Sequence, residues 1–309
     1  MLFDNFTQTI IPLQSINYIN EYFKISKPLS PELIKSIKQN GVLESVILVE
    51  GNGCFIPVCG HNRMLASIQT GLDHVPAKII NELSEDDFKA IITLKLYNNL
   101  TGTIGKLKSL YILKEYFEIN KKQLIAIAHE LSVPDALIEI ASLKKIIGLP
   151  SRLMNYIDSK NIPFKFIMPI LRLSDESIQL VDAIANVCQL RVNYFRDIVV
   201  MIEDICRNQQ NESVLKKITV LVNKENITDD EIYRNIYMLR YPQYSEYVEK
   251  INYLKNKFLS YGLKIEVPEY LEGNVVNIII QVKKNEVVHP LLQQDREILA
   301  LVQSIVALL

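Results

Sequence analysis

The chain has 309 residues, 34 Lys and Arg against 35 Asp and Glu, a formal net charge of −1 and 49% hydrophobic residues. That apolar fraction builds packed cores and excludes wholesale disorder, and the length predicts two or three domains. Near-neutral charge argues against a protein whose main business is coating nucleic acid, and the longest apolar runs, such as Val275 to Val282, fall far short of the roughly 20 residues of a membrane span.

Met1-Leu2-Phe3-Asp4 opens without a basic leader region, so no secretion signal is read. Cys54, Cys59, Cys188 and Cys206 form no CxxC and no metal-ligand spacing, which predicts reduced thiols, a cytoplasmic location and no metal site. The opening third alternates strands and helices. Ser30-Pro31-Glu32 supplies an N-cap, a first-turn proline and an acidic first turn, and Gly41 closes the pattern, so a helix is predicted over 31–40. The β-rich runs 45–49 and 54–58 flank Glu50-Gly-Asn-Gly53 and predict a hairpin. Gly60 then leads into a helix over 61–70 closed by Gly71, and Val75 to Ile80 reads as a strand.

From Ser84 to about 261 the pattern is helical, with starts at Ser84, Ser174 and Thr228 and stops at Gly148-Leu-Pro150 and Asn161-Ile-Pro163. Lys121 to Leu131 and Asp135 to Ile147, joined by Ser132-Val-Pro134, have the lengths of a helix-turn-helix. A helix from about Tyr244 to Gly262, strands over 263–267 and 275–282, and an apolar helix from Pro290 to Leu309 end the chain. The fold class is therefore α+β: an N-terminal α/β domain over 1–97, an all-α middle over 98–240 and a small α/β segment over 241–309. Charge is segregated, since 98–172 carries 11 basic and 6 acidic residues; nucleic acid, if bound, is expected there first.

The most informative spot is Cys59-Gly60-His61-Asn62-Arg63. A glycine between strand and helix lets backbone N–H groups converge on an anion, and an arginine in the first turn adds a bidentate donor, which suits a phosphate. The same residues also fit a plain turn, with Arg63 paired to a surface carboxylate. His61 reads as an imidazole donor to phosphate rather than a general base.

The stretch from Ile11 to Ile80 resembles the N-terminal domain of the ParB family of partition proteins, whose fold is akin to sulfiredoxin. The family's helix ending in glycine, its "-ILV-" strand, its Gly-x-x-Arg box, its R-x-x-A-A-x-x-x-G helix and its V-P strand are matched. The matching residues are Ile34 to Gly41, Val46 to Val49, Gly60 to Arg63, Ala66, Gly71 and Val75-Pro76. Residues 98–150 sit where the family has its second nucleotide box and helix-turn-helix, 161–200 look like the helical region of RepB-type proteins, and 244 onward is similar in order to the ParB dimerisation domain. The resemblance implies a dimeric, nucleotide-switched DNA clamp of plasmid or chromosome partition, or of gene control, using CTP with Mg2+ and a partition ATPase as partner. Gly60, His61, Asn62 and Arg63 would hold phosphate.

Three departures stand out. The family's Glu-Arg-Arg after the glycine is His61-Asn62-Arg63; its Gln-Pro-Arg is replaced by Tyr22-Phe23-Lys24; its Glu-Asn-x-x-Arg is Asn98-Asn99-Leu100-Thr101-Gly102. The acidic residue linked to hydrolysis is thus Asn98, which leaves weak CTP hydrolysis at most. Asn98 and Asn99 can bond a nucleotide or a magnesium-bound water, and they equally suit a turn between helices. The second helix of the helix-turn-helix offers Asp135, Glu139 and Ser142 and no Arg, Asn or Gln for base contacts. Contact through DNA phosphates falls instead to Lys106, Lys108, Lys121, Lys122, Lys144, Lys145 and Arg152. Two other classes stay open: a nucleotide-using kinase or nuclease on the same fold, and a non-catalytic dimeric scaffold.

Overall fold

A computed structural model of the chain describes residues 6–51, 53–187, 190–207, 211–224, 226–260, 263–266, 277–280, 300 and 303–304. The chain divides into two compact units, Met1–Tyr233 and Arg234–Leu309.

The first unit opens with β1 (Phe6–Pro12), α1 (Pro31–Asn40), β2 (Val46–Glu50), β3 (Phe55–Cys59), α2 (His61–Gln69) and β4 (His74–Ile80). The strands form one sheet in the order β1-β4-β2-β3. β1 runs antiparallel to β4 from Phe6 opposite Ile80 to Pro12 opposite His74, β4 lies parallel to β2, and β2 and β3 form the predicted hairpin. Ile11, Leu13, Ile16, Val46, Leu48, Met64, Val75 and Ala77 bury a common core, and each full burial of a Val, Leu or Ile side chain contributes about 1.5–3 kcal/mol. α1 begins as the sequence predicts, with Ser30 Oγ accepting the Leu33 N–H at 3.3 Å and Pro31 in the first turn. β1 is an addition to the predicted elements. It is an edge strand whose only buried residue is Ile11, so it leaves little hydrophobic alternation to read.

Helices follow: α3 (Glu85–Tyr97), α4 (Thr103–Glu115), α5 (Lys121–Glu130), α6 (Ile140–Ile147), α7 (Ser151–Ser159), α8 (Phe164–Ile167), α9 (Asp175–Val187), α10 (Val192–Arg207), α11 (Asn211–Val222) and α12 (Asp229–Arg240). α4 buries residues all round its circumference, among them Leu107, Leu110, Ile112 and Leu113, as a central helix should. α5, α6 and α7 each pack on it. Phe23, Phe88, Tyr116 and Phe117 stack edge to face or face to face and tie the segment after β1 to α3 and α4. The expected boundary between 97 and 98 lies inside this unit.

The second helix of the expected helix-turn-helix is shorter than its sequence suggests. Asp135–Leu137 is a 3-10 turn, Glu139 is extended, and only Ile140–Ile147 is α-helical. In an unbroken helix Leu137 and Leu143 would point about 120° apart; both are fully buried, and the break at Glu139 is what brings both into the core. His129 on α5 closes the joint through a 2.9 Å contact from Nε2 to Asp135 Oδ1.

The second unit contains α13 (Pro242–Ser260), β5 (Leu263–Glu266) and β6 (Asn277–Ile280). β5 and β6 are antiparallel with Leu263 opposite Ile280, and β5 packs its buried Leu263 and Ile265 against α13. The strand expected over 275–282 is described at 277–280. Of the expected terminal helix, residues 300, 303 and 304 are described, as helical; Leu299, Leu301, Val302, Ile305, Val306, Leu308 and Leu309 lie outside the described residues. Among the described residues no helix is long and apolar enough to cross a membrane, and Cys54 and Cys59 are free thiols.

Candidate anion-binding site

The Gly60 turn is built by its own backbone. Gly60 has φ +97, and a Cβ there would stand 2.7 Å from Val46 Cγ1, so only glycine joins β3 to α2 at this spacing. The turn starts α2, whose first N–H groups have no partner within the helix. His61 lies in that first turn, 3% exposed. Its Nε2 has no hydrogen-bond partner, while the ring bonds the Asn20 backbone carbonyl. Burial, then Lys95, Lys24 and Lys108, hold the imidazole down to about 3, so it is neutral. Asn62 donates from Nδ2 to the Lys27 carbonyl at 2.9 Å, and its Oδ1 is a second buried polar atom without a partner.

The segment after β1 threads between this turn and the α3–α4 joint. Lys27 N–H donates to the Leu100 carbonyl at 2.8 Å, Thr101 Oγ1 donates to the Ile25 carbonyl at 2.6 Å, and Lys27 Nζ donates to Asn99 Oδ1 at 3.1 Å. Lys27 therefore bridges Asn62 and Asn99, which the sequence keeps 37 residues apart. Gly105 permits the approach, because a Cβ there would come within 2.2 Å of the Ile25 carbonyl oxygen. Tyr22-Phe23-Lys24 lies in this segment, so the position of the missing Gln-Pro-Arg is filled by a lysine that faces His61.

Lysine dominates the surroundings. Lys95 is 6% exposed, and no side chain among the described residues is hydrogen-bonded or ion-paired to it. Lys108 donates to the Glu21 carbonyl at 2.6 Å; its ammonium is held below its ordinary value first by burial, with Glu21 opposing and Lys24 adding to the fall. Lys106 is lowered by burial and by Lys27. Lysines that depress one another mark positive charge without full compensation. Glu21, paired with Lys24, is the nearest acidic counterweight.

The α4 N-terminus, next to this cluster, already holds an anion of its own. Asp158 on α7 accepts the Ile104 N–H at 2.7 Å and also the Gly105 N–H, and burial raises its carboxyl to about 6 against those bonds and Lys27. A Cβ at Gly102 would lie 2.4 Å from Asp158 Oδ1, which explains the glycine.

The predicted residues fall into separate groups. Asn62 meets Asn99 through Lys27, while His61 lies under the charge of Lys95, Lys24 and Lys108. Arg63 turns the other way: its Nη1 donates to the Glu44 and Ser45 carbonyls at 2.6 and 3.0 Å and lies 3.3 Å from the Glu44 carboxylate. Asn98 caps α3 and donates from Nδ2 to the Leu94 carbonyl at 3.0 Å, and Asn99 has φ +52 in the turn that follows. Among the described residues no three His, Cys, Asp or Glu side chains come together as a metal site.

The basic residues assigned to DNA are mostly occupied. Lys106 donates to the Leu131 carbonyl at 3.0 Å, Lys145 to the Leu173 carbonyl at 2.7 Å, Lys144 pairs with Glu115 at 3.4 Å, and Arg152 pairs with buried Asp182 at 2.9 Å. Lys121 and Lys122 are exposed on the first turn of α5. Beside them a groove of about 640 Å³ is lined by Lys121, Leu124, Asp135, Ile138 and Glu139, a surface of mixed charge.

Lys27, Lys95, Gly105 and Asp158 are not singled out by the sequence, and Lys24 stands out there only as the residue in the Gln-Pro-Arg position. One signal was legible: Phe88, Ile91, Ile92 and Lys95 recur at 3, 4 and 7 residues, so Lys95 stands on the buried stripe of α3.

No family model matches the chain, and no curated protein is significantly similar in sequence. Among solved structures it is similar to a Pnob8-like ParB-N domain, at 13% identity over 69% of this chain and 97% of that one, with a TM-score of 0.35. It is also similar to the C-terminally truncated chromosome-partitioning protein ParB from Caulobacter crescentus. With CTP-γ-S bound, that protein gives 17% identity over 69% and 99% of the two chains and a TM-score of 0.25. Complexed to the centromeric parS site, it gives 19% identity over 62% and 97% and a TM-score of 0.27. These superpositions are loose, and nothing about binding passes to this chain by likeness alone.

Proposed function

We propose that this chain is a ParB-like, DNA-associated protein of partition or gene control, and that the junction of the Gly60 turn with the α3–α4 joint binds the phosphates of a nucleotide. The observation that carries the site is a pair of unpartnered buried atoms on one turn, His61 Nε2 and Asn62 Oδ1, the first of them in a residue under the charge of Lys95, Lys24 and Lys108. Lys95, Lys24 and Lys108 all set positive charge against His61, and a phosphate entering here would supply the opposing negative charge. Lys24, Lys95 and Lys108 hold the phosphates, while Arg63 positions α2 by anchoring it to Glu44 and Ser45. The motif resemblance over 11–80 selects CTP among the nucleotides.

Hydrolysis in this reading is slow, below about 1 per second, because the residue in the acidic position is Asn98 and its amide is committed to Leu94. DNA contact is made through phosphates, led by Lys121 and Lys122, with little reading of bases. Dimerisation belongs to the segment from 241 onward, whose terminal apolar residues are more than one small sheet can cover, and a partition ATPase is the expected protein partner.

Calorimetry of the full chain with CTP, ATP, GTP and UTP tests the reading. Selective CTP binding that weakens about tenfold or more in Lys95→Met supports it. Absence of binding to all four sinks it, and turnover of ATP moves the protein to the enzyme class.

A further inference from the structure

The anion site contains a contradiction that points to a proton. With the Asn20 backbone as the ring's partner and Nε2 unpartnered, the ring hydrogen is assigned to Nδ1. Nε2 is then a bare acceptor. Asn62 Oδ1, from the next residue of the turn, is a second bare acceptor, because its amide nitrogen already donates to Lys27. Fully ionised phosphate or sulfate oxygens are acceptors too, so lysines alone would draw the anion in while the turn met it with lone pairs.

We propose that an anion enters this site together with one proton, taken from solvent onto His61 Nε2 and donated from there to an anion oxygen. This rests on the reading of the junction as a phosphate site. The only bond formed is N–H, and nothing is oxidised or reduced. The groups that act on His61 are Lys95 from α3, Lys108 from α4, and Lys24 with the Asn20 backbone from the segment after β1; α1, β2 and β4 also pack on α2. Glu21 moderates Lys24 and Lys108.

In the empty site those three lysines and burial oppose protonation, which agrees with an imidazole held down to about 3. A bound dianion reverses the local sign and favours imidazolium. Binding and protonation are then linked, so affinity rises as pH falls through the ligand-bound value, by up to about tenfold per pH unit.

The test uses the full chain, wild type and His61→Gln, titrated with CTP and with sulfate, which stays a dianion from pH 5 to 8 and brings no proton of its own. Calorimetry in two buffers of different ionisation enthalpy counts protons. The expected result for wild type is uptake approaching one proton per sulfate toward pH 5.5, with affinity rising several-fold per pH unit. His61→Gln is expected to bind without uptake and with a flat profile. Binding of sulfate by wild type without uptake overturns the proposal and leaves the phosphate site standing. Equal uptake in His61→Gln overturns the assignment to His61. Failure of folded wild-type protein to bind either CTP or sulfate overturns both. If His61→Gln does not fold, ring NMR of wild type decides: the chain has four histidines, and the one that stays neutral from pH 5 to 8 in the empty protein must become imidazolium when sulfate is added at pH 5.5. A ring that stays neutral there refutes the proposal.

Discussion

The junction around His61 and the face formed by α5 and α6 are both rich in lysine, and they use it differently. At the α5–α6 face and the helices beside it, Lys144, Lys145 and Arg152 are each matched by a carboxylate or a carbonyl of the same chain. At the junction, Lys95 is buried and lacks a side-chain partner among the described residues, and two polar atoms of the Gly60 turn, His61 Nε2 and Asn62 Oδ1, are unsatisfied. Buried groups are normally paired, so each exception calls for an explanation. A count of basic residues along the sequence sees the number of charges in each region and not their partners.

The contrast breaks most severely if the segment after β1 is forced away from α4. Gly105→Ala should destabilise the protein by about 3 kcal/mol, because its Cβ would meet the Ile25 carbonyl at 2.2 Å. Thermal unfolding of the variant within a degree of wild type would mean that the segment is not seated as described.

Lys95 sharpens the contrast. Lys95→Met should weaken CTP or tripolyphosphate binding by about 1.5–3 kcal/mol, the worth of a charge-assisted contact, without destabilising the empty protein, because the substitution keeps the apolar stem on the buried stripe of α3. Lys145→Met, away from the junction, should leave nucleotide binding unchanged. Loss of stability in Lys95→Met, read by denaturant unfolding, would identify Lys95 as structural.

Two opposed titrations give a finer test. His61 is held at about 3 in the folded chain against an ordinary 6.5, so the native state binds fewer protons than the unfolded one between those values. Its contribution to stability is lost as pH falls through that window. Asp158 is raised to about 6 from 3.8, which reverses the sign: its contribution falls as pH rises from about 4 to 6. Each slope reaches about 1.4 kcal/mol per pH unit, and in the wild type they offset one another. Asp158→Asn should therefore expose a loss of stability on acidification between pH 6 and 4, and His61→Gln a gain. Parallel unfolding curves for wild type and both variants across that range would refute both assignments.

The smallest effect belongs to the α5–α6 face. If its exposed lysines contact DNA phosphates, Lys121→Ala with Lys122→Ala should reduce the log–log salt slope by about 1.8, two contacts at 0.9 each. Arg152→Ala, whose partner is buried Asp182, should leave the slope unchanged. The reverse pattern in fluorescence anisotropy on random duplex DNA would place the interface around α7 and α9.

The local signals in the sequence were strong where a single residue decides the backbone. Ser30-Pro31 opens α1 and Gly60 turns β3 into α2, because a cap, a ring-locked φ and a missing Cβ act within a few residues of themselves. The hairpin, the α2 helix and the strand at Ile80 were legible for the same reason. β1 was not, since an edge strand with one buried side chain is specified by its partner β4 rather than by its own pattern. The break at Glu139 was hidden as well: it reconciles Leu137 with Leu143 in a core that the sequence does not display. The candidate site was half visible. Gly60, His61 and Asn62 mark the strand-to-helix turn, but Lys27 meets Asn62 and Asn99 only after 35- and 72-residue loops close, and Arg63 leaves for Glu44. Side-chain partners across such separations are chosen by packing, because the energy of a buried charge depends on what surrounds it in three dimensions and not on its neighbours along the chain.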